Sequence, residues 1–159
     1  SDYLKKLVSD VSVKWPNDIL AGNDKIAGIL IENAIIKDEI EHTVAGIGIN
    51  INQERFSGNI PNATSLKTLT RSVHNTEECL AEILKAIDLR YKQLLYERRP
   101  DIDSDYLSVL YRYNQWTEFQ DSRGIFEGKI INVTGTGRLQ IEDRRSRVYE
   151  YGFKEVDFL

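Results

Sequence analysis

Apolar residues recur with period two through the N-terminal third of the chain and again near its C-terminus, with a long stretch of helical period between. Tyr3, Leu4, Leu7 and Val8 fall at helical spacing and predict the tail of an amphipathic helix over Asp2 to Val8. Val11 and Val13 alternate with polar residues as a short strand does. In Lys14-Trp15-Pro16-Asn17-Asp18, Pro16 biases Trp15 to extended backbone, and Pro-Asn-Asp is turn chemistry. Ile19 and Leu20 lead into a second turn at Ala21-Gly22-Asn23-Asp24. Lys25 to Glu32, Asn33 to Ile36 and Ile40 to Asn52 predict three strands of a meander, with a charged turn at Lys37-Asp38-Glu39. Val44, Ile47, Ile49 and Ile51 are its expected buried positions. Gln53 to Thr64, rich in Gly, Pro, Asn and Ser, reads as a loop.

Asn75 followed by Glu78 is a capping pattern, and it opens the clearest helix, Thr76 to Arg98. Leu80, Ile83, Leu84, Ile87, Tyr91, Leu94 and Leu95 form its apolar stripe. A second helix over about Ser104 to Arg112 follows Pro100. From Glu118 the pattern changes to short alternating runs: Gly124 to Val133, Arg138 to Glu142 and Val148 to Phe153. Such runs between Gly- or Arg-rich turns predict a small antiparallel barrel or sandwich. The boundary falls near Asn114 to Thr117, giving an N-terminal domain over 1–114 and a small β domain over 115–159.

Composition narrows the function classes. Charged residues make up 29% and hydrophobic residues 41% of the 159, the mix of a folded globular chain. A net charge of −4 argues against a strongly basic nucleic-acid binder. No apolar run reaches the roughly 18 residues of a membrane span. The single cysteine permits no intrachain disulfide, which suits a reducing, cytoplasmic setting. The chain contains no methionine and begins Ser-Asp-Tyr-Leu-Lys-Lys, from which a fragment or processed product is expected.

Three segments carry candidate chemistry. Lys14-Trp15-Pro16-Asn17-Asp18 packs a cation, an aromatic, an amide and a carboxylate into one strand-to-turn junction. It is either an ordinary turn closed by Asn17 or Asp18 on its own backbone, or a functional loop. Lys25 opens an otherwise apolar strand, as a snorkelling edge residue or as a cation aimed into a pocket. Gly28, amid large apolar neighbours, suggests close approach of another backbone or a ligand. In Gly46-Ile47-Gly48-Ile49-Asn50 the glycines leave one strand face bare, for tight packing or for a flat apolar ligand, and the Asn50 amide could satisfy a ligand edge. His42 and His74 lack partners at metal-ligand spacing and are expected to be non-ligands; Cys79 is expected to be packed.

The ordered set Lys14-Trp15-Pro16-Asn17-Asp18, Lys25-Ile26-Ala27-Gly28-Ile29-Leu30 and Gly46-Ile47-Gly48-Ile49-Asn50 resembles the biotin protein ligase family. Ala63-Thr64-Ser65-Leu66 and the terminal Gly152-Phe153-Lys154-Glu155-Val156 are similar to that family as well. The resemblance implies an α/β (α+β) catalytic fold, with a mixed or antiparallel sheet and helices on one face. A small β-barrel of the Src-homology-3 kind should follow it. The implied activity is ATP- and Mg²⁺-dependent formation of biotinyl-5′-AMP, then transfer of biotin to a lysine of a biotin carboxyl carrier domain. By the same resemblance Asp18 and Lys25 are the catalytic candidates. Lys25, Gly28, Gly46, Gly48 and Ile49 are candidates for biotin, and Lys14, Asn17 and Asn50 for the nucleotide; no residue is assigned to metal. A homodimer is compatible with the family.

One departure is expected to matter. The family's upstream loop, Gly-Arg-Gly-Arg-Arg-Gly in type, has no counterpart in these residues, and Arg98-Arg99 and Arg144-Arg145 lie downstream in another context. No segment resembles the DNA-binding domain of repressor-type members. The chain is therefore expected to be the C-terminal part of such a ligase, poorly active alone. A lipoate-type acyl ligase and a non-catalytic partner-binding module are the alternatives.

Overall fold

A computed structural model describes residues 1–37, 39–56, 62–96 and 99–159. By its contacts the chain divides into two compact units, Ser1–Arg98 and Arg99–Leu159.

The first unit is built on a four-stranded antiparallel meander in the order β1-β2-β3-β4. Strand β1 (Val11–Lys14) turns through Trp15-Pro16-Asn17, with a cis bond before Pro16, into β2 (Asp18–Ala21). Gly22, at φ +61°, makes the next tight turn, into β3 (Asp24–Ile36), which pairs with β4 (Glu39–Ile49). The two strands expected over 25–32 and 33–36 are thus one strand of 13 residues. A register shift at Ala34/Ile35 absorbs the change in pattern, and Asn33 is held in line by a 2.7 Å hydrogen bond from the Thr43 hydroxyl opposite it. Of the charged turn expected between the last two strands, Asp38 lies outside the described residues, as do residues 57–61 of the expected loop.

One face of the sheet carries Val11, Val13, Ile19, Ala21, Ala27 and Ile49, by direct register across the strands. Val11, Ile19, Ala21 and Ala27 are buried in the core with Tyr3, Leu4, Ile26, Leu66 and Cys79; Val13, Ile49 and Ile51 pack partly buried against it. The expected N-terminal helix is a single 3-10 turn, Leu4–Lys6. Val44 and Ile47, expected to be buried, are exposed. Beyond Gly28, the last residue of β3 paired with β2, strands β3 and β4 run on as a two-stranded ribbon with Leu30 and Ile31 exposed on opposite sides.

A five-residue helix, α1 (Leu66–Thr70), precedes the long helix α2 (Thr76–Leu95). Asn75 caps α2 as its spacing predicts: its Oδ1 accepts from the N–H groups of Glu77 and Glu78 at 2.9 and 3.3 Å. The expected end of that helix at residues 97–98 lies outside the described residues. Its stripe is only shallowly engaged, with Ile83 partly buried and Leu80, Leu84, Ile87, Tyr91, Leu94 and Leu95 exposed. Cys79 is packed as expected, and its sulfur accepts a 3.0 Å hydrogen bond from the Tyr3 hydroxyl.

The second unit opens with α3 (Arg99–Ser108), four to five residues earlier than the sequence pattern suggests. Pro100 falls in its first turn, where a missing N–H costs nothing. Five antiparallel strands follow: β5 (Trp116–Asp121), β6 (Gly124–Val133), β7 (Leu139–Asp143), β8 (Val148–Tyr151) and β9 (Val156–Phe158). Their order is β8-β7-β6-β5-β9. Phe119, Ile130, Leu139 and Ile141 are fully buried between them. Phe119 is the centre of an aromatic chain, 5.3 Å from the Phe158 ring and 5.8 Å from Phe126. No helix among the described residues is long and apolar enough to cross a membrane.

Candidate functional site

The face of the sheet opposite the core collects the candidate residues. In antiparallel strands directly paired residues point the same way. Lys14 pairs with Asp18, Asp18 with Gly28, and Gly28 with Gly48, so one row crosses all four strands. Leu30 and Gly46 form the next pair along on the same face. The row therefore runs from a cation through a carboxylate to two facing glycines. A Cβ built on Gly48 would meet nothing within 4 Å. That half of the row is an open floor.

Lys25 reaches this face through an irregularity. Strict alternation would put it opposite Gly28, three residues away. Ile19 pairs with Ala27 while Leu20 pairs with Lys25, so Ile26 is an extra residue in β3. Such a bulge re-aims the side chains beside it. Ile26 is fully buried in the core, and Lys25 turns to the outer face. Its Nζ lies 2.6 Å from Asp18 Oδ1, with the two side chains 40% and 30% exposed. An exposed pair of this kind adds little stability, about 0.2–1 kcal/mol, so its significance lies in where it holds the charges.

Both groups lean over Gly28. A Cβ there would sit 3.5 Å from Lys25 Cε and Nζ and 3.7 Å from Asp18 Oδ1. Asn17 lies in the β1–β2 turn, and its carbonyl accepts from Ile29 N–H at 2.8 Å. Trp15, in the same turn, is buried. Asn50 follows β4 and donates from Nδ2 to the Thr64 carbonyl at 3.0 Å. Ile49 is the candidate that the sheet does not bring to this face: it pairs with Ala27 and packs against the core, as the period of two requires of a neighbour of Gly48.

The sequence singled out Ala63-Thr64-Ser65-Leu66 by resemblance but not the place of this segment against Lys25. Lys25 and Ala63 form an isolated parallel bridge, and Thr64 and Ser65 are buried. Ser65 caps α1, its Oγ accepting from Thr68 N–H at 3.1 Å. A Ser three residues before Thr was the available local signal; the pairing with Lys25, nearly forty residues distant, has none. Among the described residues no group of three or more His, Cys, Asp or Glu could hold a metal ion.

A cation and a carboxylate lie beside a bare, two-glycine floor, and comparisons with known proteins show what the chain as a whole is similar to. The Biotin/lipoate A/B protein ligase family matches residues 4–50. The chain is 29% identical over 135 residues to the bifunctional ligase/repressor BirA of Bacillus spizizenii, covering 82% of this chain and 41% of that protein. It is 30% identical over 126 residues to the biotin–[acetyl-CoA-carboxylase] ligase of Paracoccus denitrificans, covering 74% and 52%. The apo biotin protein ligase of Aquifex aeolicus superposes with a TM-score of 0.76 at 25% identity, over all of this chain and 70% of that one. The same enzyme in complex with biotin and ATP also gives 0.76, over 66% of its chain. Residues 4–50 thus carry a match to the biotin/lipoate ligase class, and the chain as a whole is similar to biotin protein ligases in sequence and fold. It spans less than half of the Bacillus relative and about half of the Paracoccus one.

Proposed function

We propose that the protein of which this chain is part is an ATP-dependent biotin protein ligase. In this reading it activates biotin as biotinyl-5′-AMP and transfers it to a lysine of a biotin carboxyl carrier domain, in the cytoplasm. The observation that carries the reading is the Asp18–Lys25 pair set over the Gly28–Gly48 floor.

In the first step the biotin carboxylate oxygen attacks the α-phosphorus of ATP, and pyrophosphate leaves. Two anions must approach, so a fixed cation at the reacting oxygens contributes most. Lys25 is assigned that role, and Gly28, Gly48 and Gly46 are assigned to the biotin rings and tail. In the second step the carrier amine attacks the acyl carbon and AMP leaves with the bonding electrons. A carrier lysine titrates near 10.4 in water, so it must shed a proton to react. Asp18 is the carboxylate on the row and the candidate to hold the ammonium and accept that proton. Lys14, Asn17 and Asn50 are assigned to the nucleotide side. A Mg²⁺ ion bound to the triphosphate commonly needs only one or two protein carboxylates. An ion that arrives with the nucleotide would offset the charge of the phosphates.

Residues 1–114 are assigned to the catalytic domain and 115–159 to a small barrel of the Src-homology-3 kind, although by contacts residues 99–114 group with the second unit. We further propose that this chain alone transfers biotin poorly. It contains no Gly-Arg-Gly-Arg-Arg-Gly segment to close over the phosphates. The exposed apolar residues of α2 and of the β3–β4 ribbon are consistent with a unit that has more chain to bury.

Titration of biotinyl-5′-AMP into the chain tests the site: binding that Lys25→Ala weakens is expected, and identical heats from both proteins would overturn it. Incubation with biotin, Mg-ATP and an apo carrier domain, followed by the carrier's mass, tests the second proposal. Rapid, complete biotinylation by the chain alone would refute it.

A further inference from the structure

Lys25 sits where β3 is least regular, and its own backbone groups look away from β2. Its N–H donates to the Asn62 carbonyl at 2.6 Å, and its carbonyl accepts from Thr64 N–H at 2.9 Å. Residues 62–64 belong to no strand of the sheet, so they must be held from elsewhere. Asn50 holds them. Its Nδ2 donates to the Thr64 carbonyl at 3.0 Å, and its carbonyl accepts from Leu66 N–H at 3.0 Å. Its N–H donates to the carbonyl of Ile26, the bulge residue next to Lys25, at 2.9 Å. Asn50 therefore bonds the chain on both sides of Lys25: the bulge that turns the lysine outward, and the segment that pins its backbone. Thr64 and Ser65 are 3% and 0% exposed, so these bonds are shielded from water, and a carbonyl left without its donor there is costly.

We infer that Asn50 is a positioning residue for Lys25, acting through Thr64 and the bulge. This goes beyond assigning Asn50 to the nucleotide and rests on the reading of Lys25 as the ligand-facing cation. Asn50 clamps residues 62–64 against β3, and the clamp holds the Lys25 amine over Gly28 beside Asp18.

The test compares wild type with Asn50→Asp, which keeps the shape and turns the donor into an acceptor facing a carbonyl. Lys25 and the exposed Lys5 are labelled with an amine-reactive anhydride, and their rates are read by peptide mass. Lys25 is expected to label severalfold faster in Asn50→Asp, with Lys5 unchanged, and Asn50→Gln, which keeps the amide donor, is expected to restore much of the wild-type rate. An unchanged Lys25 rate in folded Asn50→Asp would overturn the inference. Should Asn50→Asp fail to fold, Asn50→Ser, whose hydroxyl is too short to reach Thr64, carries the same expectation. A double-mutant cycle with biotinyl-5′-AMP separates positioning from direct contact. The affinity lost in Asn50→Asp is expected to vanish in a Lys25→Ala background; an equal loss in both backgrounds means that Asn50 touches the nucleotide and overturns the inference. If biotinyl-5′-AMP binds neither protein, the reading of the site fails, while the labelling rates still decide the task of Asn50.

Discussion

Lys25 Nζ and Asp18 Oδ1 meet at 2.6 Å above Gly28, although Lys25 and Gly28 are an odd number of residues apart on one strand. The bulge at Ile26 makes this possible and gives the two charges separate tasks to test. Asp18→Asn keeps the shape and removes the proposed proton acceptor. Transfer from preformed biotinyl-5′-AMP to an apo carrier domain is expected to slow by about 10²–10⁴, the usual range for a lost general base. Pyrophosphate release should be affected much less. Lys25→Ala should show the reverse, with adenylation down by about 10²–10³ as for a lost oxyanion-stabilising group. Single-turnover assays of each step read the split.

Gly48→Val probes the floor. Nothing lies within 4 Å of the added Cβ, so the fold should tolerate it, and thermal melting should show no loss of stability. Affinity for biotinyl-5′-AMP, measured by calorimetric titration, is expected to fall by about tenfold or more, equivalent to about 1.4 kcal/mol.

Gly128→Ala is expected to do the opposite, harming the fold and sparing the site. An added Cβ would meet Ile141 Cγ2 at 2.5 Å, Phe126 Cε2 at 3.1 Å and Phe119 Cδ2 at 3.3 Å. Both Ile141 and Phe119 are fully buried. Overpacking of this kind costs about 1–3 kcal/mol, read as a lowered urea midpoint.

The second unit should lose stability only in strong acid. The Arg123 guanidinium, aided by the Tyr151 hydroxyl at 2.9 Å, holds the Asp121 carboxyl down to about 2, against an ordinary value of 3.8. For Asp143, burial pushes the carboxyl up, but hydrogen bonds from the Arg147 side chain and from the Arg147 and Arg145 N–H groups outweigh it and bring it to about 2. Both pKa values are lower folded than unfolded. Their contribution is complete above about pH 4 and disappears as pH falls toward about 2. Thermal melts across that window should show the drop, and Asp121→Asn should flatten it.

Asn75→Ala should remove the cap of α2 and lower stability by about 1 kcal/mol, within the usual span for such caps. Asn75→Asp, which still accepts from the Glu77 and Glu78 N–H groups, should retain most of it; the urea midpoint distinguishes them.

The parts of this fold written in local pattern were legible. Asn75 and Glu78 mark the start of α2, and the alternating run at Gly124 to Val133 is β6 residue for residue. Lys14, Asp18, Gly28 and Gly48 each stood out within the three motifs, but their alignment in one row across four strands comes from the strand pairing. Three things were not legible. Period two places Lys25 on the core side; only the tertiary burial of Ile26 shows the bulge that reverses it. A helical stripe such as Leu80, Leu84 and Ile87 declares an apolar face without saying what lies against it, and here those residues are exposed. The pinning of Lys25 by Asn62 and Thr64 depends on loop closure across the meander, which no window of sequence contains.

The facing glycines at 28 and 48 also bear on how such a site can change. Their side chains are hydrogens, so the floor between β3 and β4 is already as deep as a backbone allows. Every substitution at either position raises it. Selectivity built on this pair can drift in one direction only, toward narrower or shorter ligands. A preference for a bulkier acid would have to be accommodated by the walls of the site, through residues such as Leu30 beside Gly46, rather than by its floor.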